Sequence, residues 1–505
     1  MKGVSDPMYI RERAAVLVKN FGFTTLILLG LVLISRLVAM YWIPLNDSTE
    51  ARYAEIARLM LTSQNWVSLM HYPGQYFWAK PPLSTWLSAA TMQAFGIAPF
   101  FSRLPAWILS LVSLGLVAKM AKTQWNGPAA FWAVAVLTTC VYFLLDAGTV
   151  MTDPALLTCV VLVMASFWMA MHGQGRIWTY LLFIGWGLGL LVKGLAMGLF
   201  TVLPIASWLM MEKEWRHCWK TIPWIKGSIL TLAIAAPWYV LAELRTPGFL
   251  SYFFIGEHFM RYLQPGWSGD LYGFAHQAPY GMIWIYFILG VMPWSGVLMV
   301  WAFSRKDILK FNSQEKSWQR YILSFMLVPL VVFTFAGNII YPYVFPCIPA
   351  FALWFTSILM KAGADHRFQR FFNGVALVLM MVLLIVSYLF NQYPEQFSKS
   401  NDLMIAAWKD DRQSNQEGLI YSMMQPEYSS MFYSAGEARA TRDEVQLCEW
   451  LRQGPQYVVL NSDEPSQYDE FIDKSYVKIF EQKHRNRVDT LYRVDSVPLF
   501  CENQD

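Results

Sequence analysis

Apolar residues in this chain fall in long unbroken runs, not in the short alternations of a soluble sheet or the one-sided stripe of a surface helix. The first, Phe21 to Ile43, is long enough to cross about 30 Å of hydrocarbon as a helix. Ten more fall near 101–120, 127–145, 151–171, 177–192, 194–211, 222–242, 281–303, 321–336, 340–360 and 371–390. The pattern predicts a polytopic α-helical membrane protein of about 11 to 13 transmembrane helices. The range arises because Lys193 and Gly194 alone separate two of the runs, and because Leu83 to Gly96 is apolar but short. That segment is expected to lie at the outer interface. Beyond Phe390 the pattern changes to that of a soluble domain. Helix-like runs cover 401–413 and 442–453, the second capped at Thr441, and strand-like runs cover Gln456 to Leu460 and Val488 to Val494. Two domains follow: residues 1–390 in the membrane, with large outer loops at 44–100 and 243–280, and a small α/β domain at 391–505.

Composition sharpens this division. The chain is 56% hydrophobic and 15% charged, where soluble domains average about 25% charged, so a soluble enzyme is excluded, and no nucleic-acid partner is expected. Residues 1–390 carry 27 Lys and Arg against 15 Asp and Glu, whereas 391–505 carry 12 against 20, which places the composition boundary near Asn391. Alternating the spans from a cytoplasmic N-terminus puts Lys2, Arg11, Arg13, Lys19, Lys119, Lys122, Arg176 and the basic clusters near 213–226, 305–320 and 361–370 on one side. By the positive-inside rule that side is cytoplasmic. The first span lacks a small-residue cleavage site and is expected to remain as an anchor, and the C-terminal domain then lies outside. Cys140, Cys159 and Cys347 read as small apolar fillers and Cys218 as a cytoplasmic thiol. Cys448 and Cys501 are the pair that an oxidising compartment would permit to bridge, and the spacing leaves both states open.

The outward basic residues sit beside acidic ones, and ionisable groups bordering a bilayer are functional candidates by default. Asp47 opens an Asp-Ser-Thr-Glu pattern before a helix expected at Ser48 to Leu61, so it reads either as an N-cap or as an ionised carboxylate at the outer boundary. On that helix Glu50, Arg52 and Arg58 are candidate substrate contacts, and Glu55 and Arg58 are spaced to pair. Lys80 precedes two prolines that hold its ammonium at a defined place, where it meets an anion or reaches lipid phosphates. Asp153, before Pro154, stands at the start of the fourth span as a cap or as a site carboxylate. Lys193, Glu257, His258 and Arg261 fall on the same side as these. One His with one carboxylate is a weak metal signal, since a structural site wants four ligands. A pore or pump would instead place polar groups near the midplane.

Read together, Thr49-Glu50-Ala51-Arg52-Tyr53-Ala54-Glu55-Ile56-Ala57-Arg58, Lys80-Pro81-Pro82, Thr152-Asp153-Pro154, Gly189 to Gly194, Pro237-Trp238-Tyr239 and Pro247 to Phe259 resemble a known group in order and spacing. It is the GT-C lipid-carrier-dependent glycosyltransferases, in particular the bacterial aminoarabinose transferases that modify lipid A and their protein O-mannosyltransferase relatives. The resemblance implies a GT-C-like fold in the bacterial inner membrane, a polyprenyl-phosphate sugar such as an undecaprenyl phosphate donor, and a lipid A, lipopolysaccharide or other glycan acceptor at the periplasmic face. It implies inversion at the sugar, with Asp47 and Asp153 as the catalytic carboxylates. Lys80, Lys193, Arg261 and Tyr343 would then meet the donor phosphate, and Glu50, Arg52, Arg58, Glu257 and His258 the substrates. The chain departs from the aminoarabinose transferases at Thr49, where they carry an acidic residue, so that the nearest Asp is Asp47. It departs also at Ala79, where they carry a Glu linked with a metal, which leaves His258 as the remaining metal candidate. The alternatives are a protein O-mannosyltransferase-type enzyme and a glycolipid transporter without chemistry.

Overall fold

The structure is a computed structural model that describes residues 23–125, 127–264, 266–273, 278–304, 315–363, 365–413, 417–422, 424–461, 475–484 and 487–502. The orientation signals at Lys2, Arg11, Arg13, Lys19, Arg305, Lys306 and Lys310 lie outside these residues. The chain divides into two compact units. One comprises Met1–Met40 and Ser63–Leu384, the other Tyr41–Thr62 and Ile385–Asp505.

The first unit is the helical bundle of a polytopic membrane protein. Among the described residues six helices are long and apolar enough to cross a membrane: Phe23–Trp42, Pro99–Gln124, Asp153–Met171, Trp224–Arg245, Tyr341–Ala362 and His366–Gln392. The pair Met282–Gly290 and Trp294–Ala302, bent by 101°, makes up to a seventh. Gly127–Thr138, Ile177–Lys193 and Ala196–Glu212 are shorter apolar helices. The run expected at 127–145 is broken after Thr138 and resumes as the short helix Val141–Asp146, so apolar length in the sequence is not always helix length. Asp153–Met171 is apolar around its whole circumference and almost wholly buried, as a helix surrounded by others must be. It packs against Pro99–Gln124 and Ile177–Lys193. The segment expected at the interface is the 13-residue helix Leu83–Phe95, about 20 Å long at 1.5 Å per residue and too short to span. Ahead of it β1 (Met70–Tyr72) and β2 (Gln75–Tyr76) form an antiparallel hairpin.

The second unit is α/β. Strands β3 (Leu419–Ser422), β4 (Ala438–Thr441), β5 (Gln456–Asn461), β6 (Tyr476–His484) and β7 (Arg487–Val494) form one sheet in the order β4-β3-β5-β7-β6. β3 is parallel to β4 and β5, and β7 is antiparallel to β5 and β6. Helices Tyr428–Tyr433 and Glu444–Leu451 make the crossovers, which is how parallel strands are joined. The second helix is capped not by Thr441 but by Asp443, whose carboxylate accepts from the Val445 amide at 3.0 Å. Thr441 accepts in turn from the Asp443 amide at 3.0 Å. Cys448 and Cys501 are joined, their Cα atoms 5.3 Å apart, within a core of Ile420, Leu447, Leu451, Val458 and Val494. The outer-domain pair is thus bridged.

Residues 41–62 belong to this unit and not to the bundle. Their helix, Thr49–Ser63, buries Glu55 completely, and both carboxylate oxygens of Glu55 accept from Arg58 at 2.7 Å. Arg58 Nη1 also donates to the Ala435 carbonyl at 2.9 Å, and its guanidinium packs on Gly436. The substrate-contact role expected of Arg58 is therefore corrected, because its donors are directed at an internal carboxylate and a backbone carbonyl and it is buried.

Removing one member of such a pair strands the other charge, so Arg58→Ala is expected to destabilise this unit by about 3–5 kcal/mol, while Glu55→Met with Arg58→Met recovers most of the loss. Chemical denaturation of the intact protein, read by protease resistance of the C-terminal unit, checks this. Cys448→Ser with Cys501→Ser opens a loop of 53 residues and is expected to lower the same stability by roughly 2–4 kcal/mol, and reductant should bring wild type to the level of the variant.

Candidate functional site

The site is built where four elements of the bundle meet around a π-helix. Ser251–Met260 is wound with the wider turn, a form that appears at functional positions because it shifts side-chain phase. Its consequence is visible at His258, whose Nδ1 lies 2.8 Å from the Phe253 carbonyl five residues back. Gly256 permits the packing, since a Cβ there would stand 2.5 Å from the Trp267 ring.

The π-helix carries Glu257, with only 4% of its side chain exposed. Lys80 Nζ donates to Glu257 Oε2 at 2.9 Å, and Arg261 Nη1, one turn on, donates to the same oxygen at 3.1 Å. The Tyr252 hydroxyl donates to Oε1 at 3.3 Å, and Arg261 Nη2 reaches Asp270 at 3.5 Å. Burial pushes the Glu257 carboxyl up, yet Lys80 and Arg261 together hold it below the usual carboxylate range. Burial works against the Arg261 cation, and Glu257 outweighs it. Asn338 Nδ2 donates to the Arg261 and Gln264 carbonyls at 2.6 and 3.1 Å, fixing the end of the turn.

Lys80 has three N–H donors, one used on Glu257 and one on the Ala79 carbonyl at 2.7 Å. Its third N–H, and the Nε–H of Arg261, have no protein acceptor among the described residues. Both side chains keep a fifth or so of their surface exposed, 19% and 23%. A site with two fixed cations and unused donors suits an oxyanion.

The next pair lies one contact away. Lys193 ends the helix Ile177–Lys193, and its carbonyl is 3.2 Å from His258 Nε2. Gly194, at φ +59, follows because a Cβ would stand 2.7 Å from Phe253 and 3.1 Å from His258. The Lys193 ammonium donates to Asp153 Oδ1 at 2.6 Å and lies 5.5 Å from the centre of the Tyr343 ring. Asp153 begins its helix with Pro154 behind it, so the proline loses no hydrogen bond. The structure thus brings together Lys80, Asp153, Lys193, Glu257, His258, Arg261 and Tyr343. The remaining candidates lie in the other unit. There Asp47 accepts from the Ser429 amide at 3.1 Å and from the Ser429 hydroxyl. Arg52 stands over the rings of Tyr53 and Tyr428 at 5.9 and 5.8 Å, and Glu50 is half-buried beside it.

Two residues were missed. Arg36, inside the first span, donates from Nε to the Ala147 carbonyl at 2.5 Å and from Nη2 to the Leu145 carbonyl at 2.8 Å. Those carbonyls flank Asp146, which is buried beside the Asp153–Lys193 pair. An arginine within an apolar run and an aspartate ending another were the signals available.

Both ring nitrogens of His258 face backbone carbonyls, and among the described residues no group of three or more His, Cys, Asp or Glu is placed to hold a metal. With Ala79 beside Lys80, the donor set does not fit a divalent cation.

A bundle of this kind, with paired cations and a carboxylate at one polar centre, shares its fold with a solved membrane protein. It superposes with a TM-score of 0.73 on the crystal structure of ArnT from Cupriavidus metallidurans bound to undecaprenyl phosphate, over 92% of this chain and 97% of that one, at 16% identity. The apo form of that protein matches over the same shares at 17% identity. The family profile described as dolichyl-phosphate-mannose-protein mannosyltransferase matches residues 45–253. Among curated proteins, undecaprenyl phosphate-α-4-amino-4-deoxy-L-arabinose arabinosyl transferases are similar. That of Enterobacter sp. is 26% identical over 71% of this chain and 65% of its own length. The second enzyme of that name in Pseudomonas fluorescens is 28% identical over 67% and 59%. The alignments therefore span about three fifths of the relatives' length. The resemblance read from the motifs holds in these comparisons.

One pH effect follows from His258. Burial disfavours its cation and sets its pKa below the ordinary 6.5, against the pull of the two carbonyls. The unfolded chain then binds more protons below about pH 6.5, so stability falls on acidification through that region, by at most about 1.4 kcal/mol per pH unit. Thermal unfolding in nanodiscs between pH 7.5 and 5.5 should show a steeper loss for wild type than for His258→Gln.

Proposed function

We propose that this chain is an inverting membrane glycosyltransferase that moves a sugar from a polyprenyl phosphate to a lipid A, lipopolysaccharide or related glycan acceptor. The observation that carries it is the unused N–H of Lys80 and Nε–H of Arg261 beside the Asp153–Lys193 pair. Oxyanion donors next to a carboxylate suit a single displacement at an anomeric carbon. The acceptor oxygen bonds to the anomeric carbon as the bond to the phosphate oxygen breaks, and the electron pair leaves with the phosphate. Lys80 and Arg261 stabilise that developing charge, with Lys193 and Tyr343 next to them. An acceptor hydroxyl delivers its proton to Asp153, whereas an acceptor phosphate needs no base.

Asp47 is better supported as a structural residue, because its carboxylate accepts from both Ser429 groups. Glu257 and His258 shape the site through Lys80, Arg261 and the Lys193 carbonyl. No step here runs through a metal. The names of the relatives support the polyprenyl carrier and the bacterial inner membrane. The lysine and arginine asymmetry supports a cytoplasmic N-terminus, and the Cys448–Cys501 bridge supports an oxidising, periplasmic location for the second unit. The helix count of 11 to 13 stays with this reading: the six long helices, the bent pair and the three shorter apolar ones make ten, and the 18-residue helix Lys316–Phe333 is an eleventh.

The test is transfer in membranes from a polyprenyl-phosphate sugar. Lys80→Ala is expected to lower kcat/KM by roughly 10–100-fold, the worth of a charge-assisted hydrogen bond, and Asp153→Asn by about 100-fold or more if the acceptor is a hydroxyl. Wild-type turnover in both variants would overturn the assignment, and a product on secreted protein would favour the O-mannosyltransferase reading.

A further inference from the structure

Asp146 ends the short helix Val141–Asp146 and is only 2% exposed, and its Oδ1 is buried without a hydrogen-bond partner among the described residues. Buried carboxylates left in that condition are rare, because an unsatisfied polar atom costs about 1–3 kcal/mol and a charged one more. Nothing about the backbone forces the position, which is built with care. The Asp146 carbonyl accepts from the amide and the hydroxyl of Thr149, both at 3.1 Å. Arg36 clamps the carbonyls on either side at 2.5 and 2.8 Å. Gly148, at φ +103, completes the turn where a Cβ would strike Met40 at 2.4 Å. The carboxyl is therefore pre-positioned, and its one unmade bond is the feature without an internal explanation.

Its neighbours say where that bond points in function. Burial raises the Asp146 carboxyl well above the usual range, and the Asp153 charge adds to this, with Lys193 and Arg36 opposing. Asp146 thus shares a field with the Asp153–Lys193 pair. Through the Lys193 carbonyl and His258 that pair connects to the turn that holds Glu257, Lys80 and Arg261. The polar centre has a cationic end, at Lys80 and Arg261, and an acidic end, at Asp153 and Asp146. A phosphate is served by the unused N–H donors of Lys80 and Arg261, whereas at the other end the Lys193 ammonium is already engaged by Asp153. What remains for the acidic end is the uncharged or cationic part of a substrate.

We infer that Asp146 is a specificity-determining contact whose Oδ1 accepts a hydrogen bond from a hydroxyl or amino group of the sugar being transferred or of the acceptor. The inference rests on the glycosyltransferase reading above and adds to it a residue that recognises the polar edge of the substrate, apart from the groups that hold the phosphate. The substrate's donor supplies the bond when bound.

The experiment compares wild type, Asp146→Asn and Asp146→Ala, with Lys80→Ala as reference, by binding of bare polyprenyl phosphate, binding of the sugar-bearing carrier, steady-state transfer and thermal unfolding. Asp146→Asn keeps the volume and replaces the acceptor in part, and is expected to unfold within a degree or two of wild type. The donor sugar is the source of the hydrogen bond if both variants weaken the sugar-bearing carrier by about tenfold and leave the bare carrier unchanged. The acceptor is the source if carrier binding is unchanged and the acceptor KM rises by a similar factor. Wild-type values of all three overturn the inference, as does equal loss on both carriers together with a lower unfolding temperature, the mark of a structural role. If wild type neither binds nor transfers while remaining folded, the glycosyltransferase reading fails and this inference falls with it. Normal wild-type turnover with normal Asp146 variants removes this inference alone.

Discussion

A carboxylate taken out of water at the edge of a bilayer stays ionised only where cations meet it. Glu257 meets two, Lys80 at 2.9 Å and Arg261 at 3.1 Å. The geometry of the polar centre depends on this shared anion. Two cations held on one carboxylate stand close to each other without a second ligand, and each keeps donors to spare. Sharing one carboxylate brings the two cations together while the third N–H of Lys80 and the Nε–H of Arg261 stay unused among the described residues. Asp270 lies 3.5 Å from Arg261.

The backbone devices around the centre follow from that requirement. The π-helix alters the phase of Glu257 and His258 relative to an ordinary helix, and Gly256 and Gly194 allow the close packing that excludes water from the carboxylate. His258 joins the two halves of the centre with its ring alone, one nitrogen on its own helix and the other on the Lys193 carbonyl. A neutral imidazole donates only once, so one of these contacts is weaker than it looks at any moment. Burial disfavours the cation, and the nearby Lys80 charge works in the same direction.

The sequence made the membrane bundle legible because apolar length is a one-dimensional property, and it located Lys80, Asp153, Lys193, Glu257 and Arg261 because charge bordering hydrocarbon is conspicuous. What it hid depends on contacts distant in the chain. Asp47 looks like the cap of the helix that follows it, yet it accepts from Ser429, 382 residues away. The spacing of Glu55 and Arg58 shows that they can pair, but not that Arg58 is also sealed on the Ala435 carbonyl, 377 residues away. The π-helix leaves no trace in periodicity, because one altered turn in ten residues is below what an apolar pattern resolves. The strands β3, β4 and β6 escaped for a similar reason. Strand β3, flanked by β4 and β5, is four residues buried throughout without alternation, a pattern that a short buried helix would share.

Tyr41–Thr62 adds a point about modularity. A segment that follows the first span belongs by its contacts to the unit formed by the last hundred residues. It is held there by the Asp47–Ser429 bonds, by the Leu45 amide on the Tyr433 hydroxyl at 2.9 Å, and by Asn46 on Ser398 at 3.1 Å. These are hydrogen bonds between backbone or short polar groups and not a ligand-ready constellation. Asp47, the acidic residue just ahead of Thr49, is already committed to Ser429. In the bundle, by contrast, Asp153 accepts from Lys193 at 2.6 Å and the buried Asp146 lies near that pair, so the acidic groups of the polar centre come from the helices of the bundle itself.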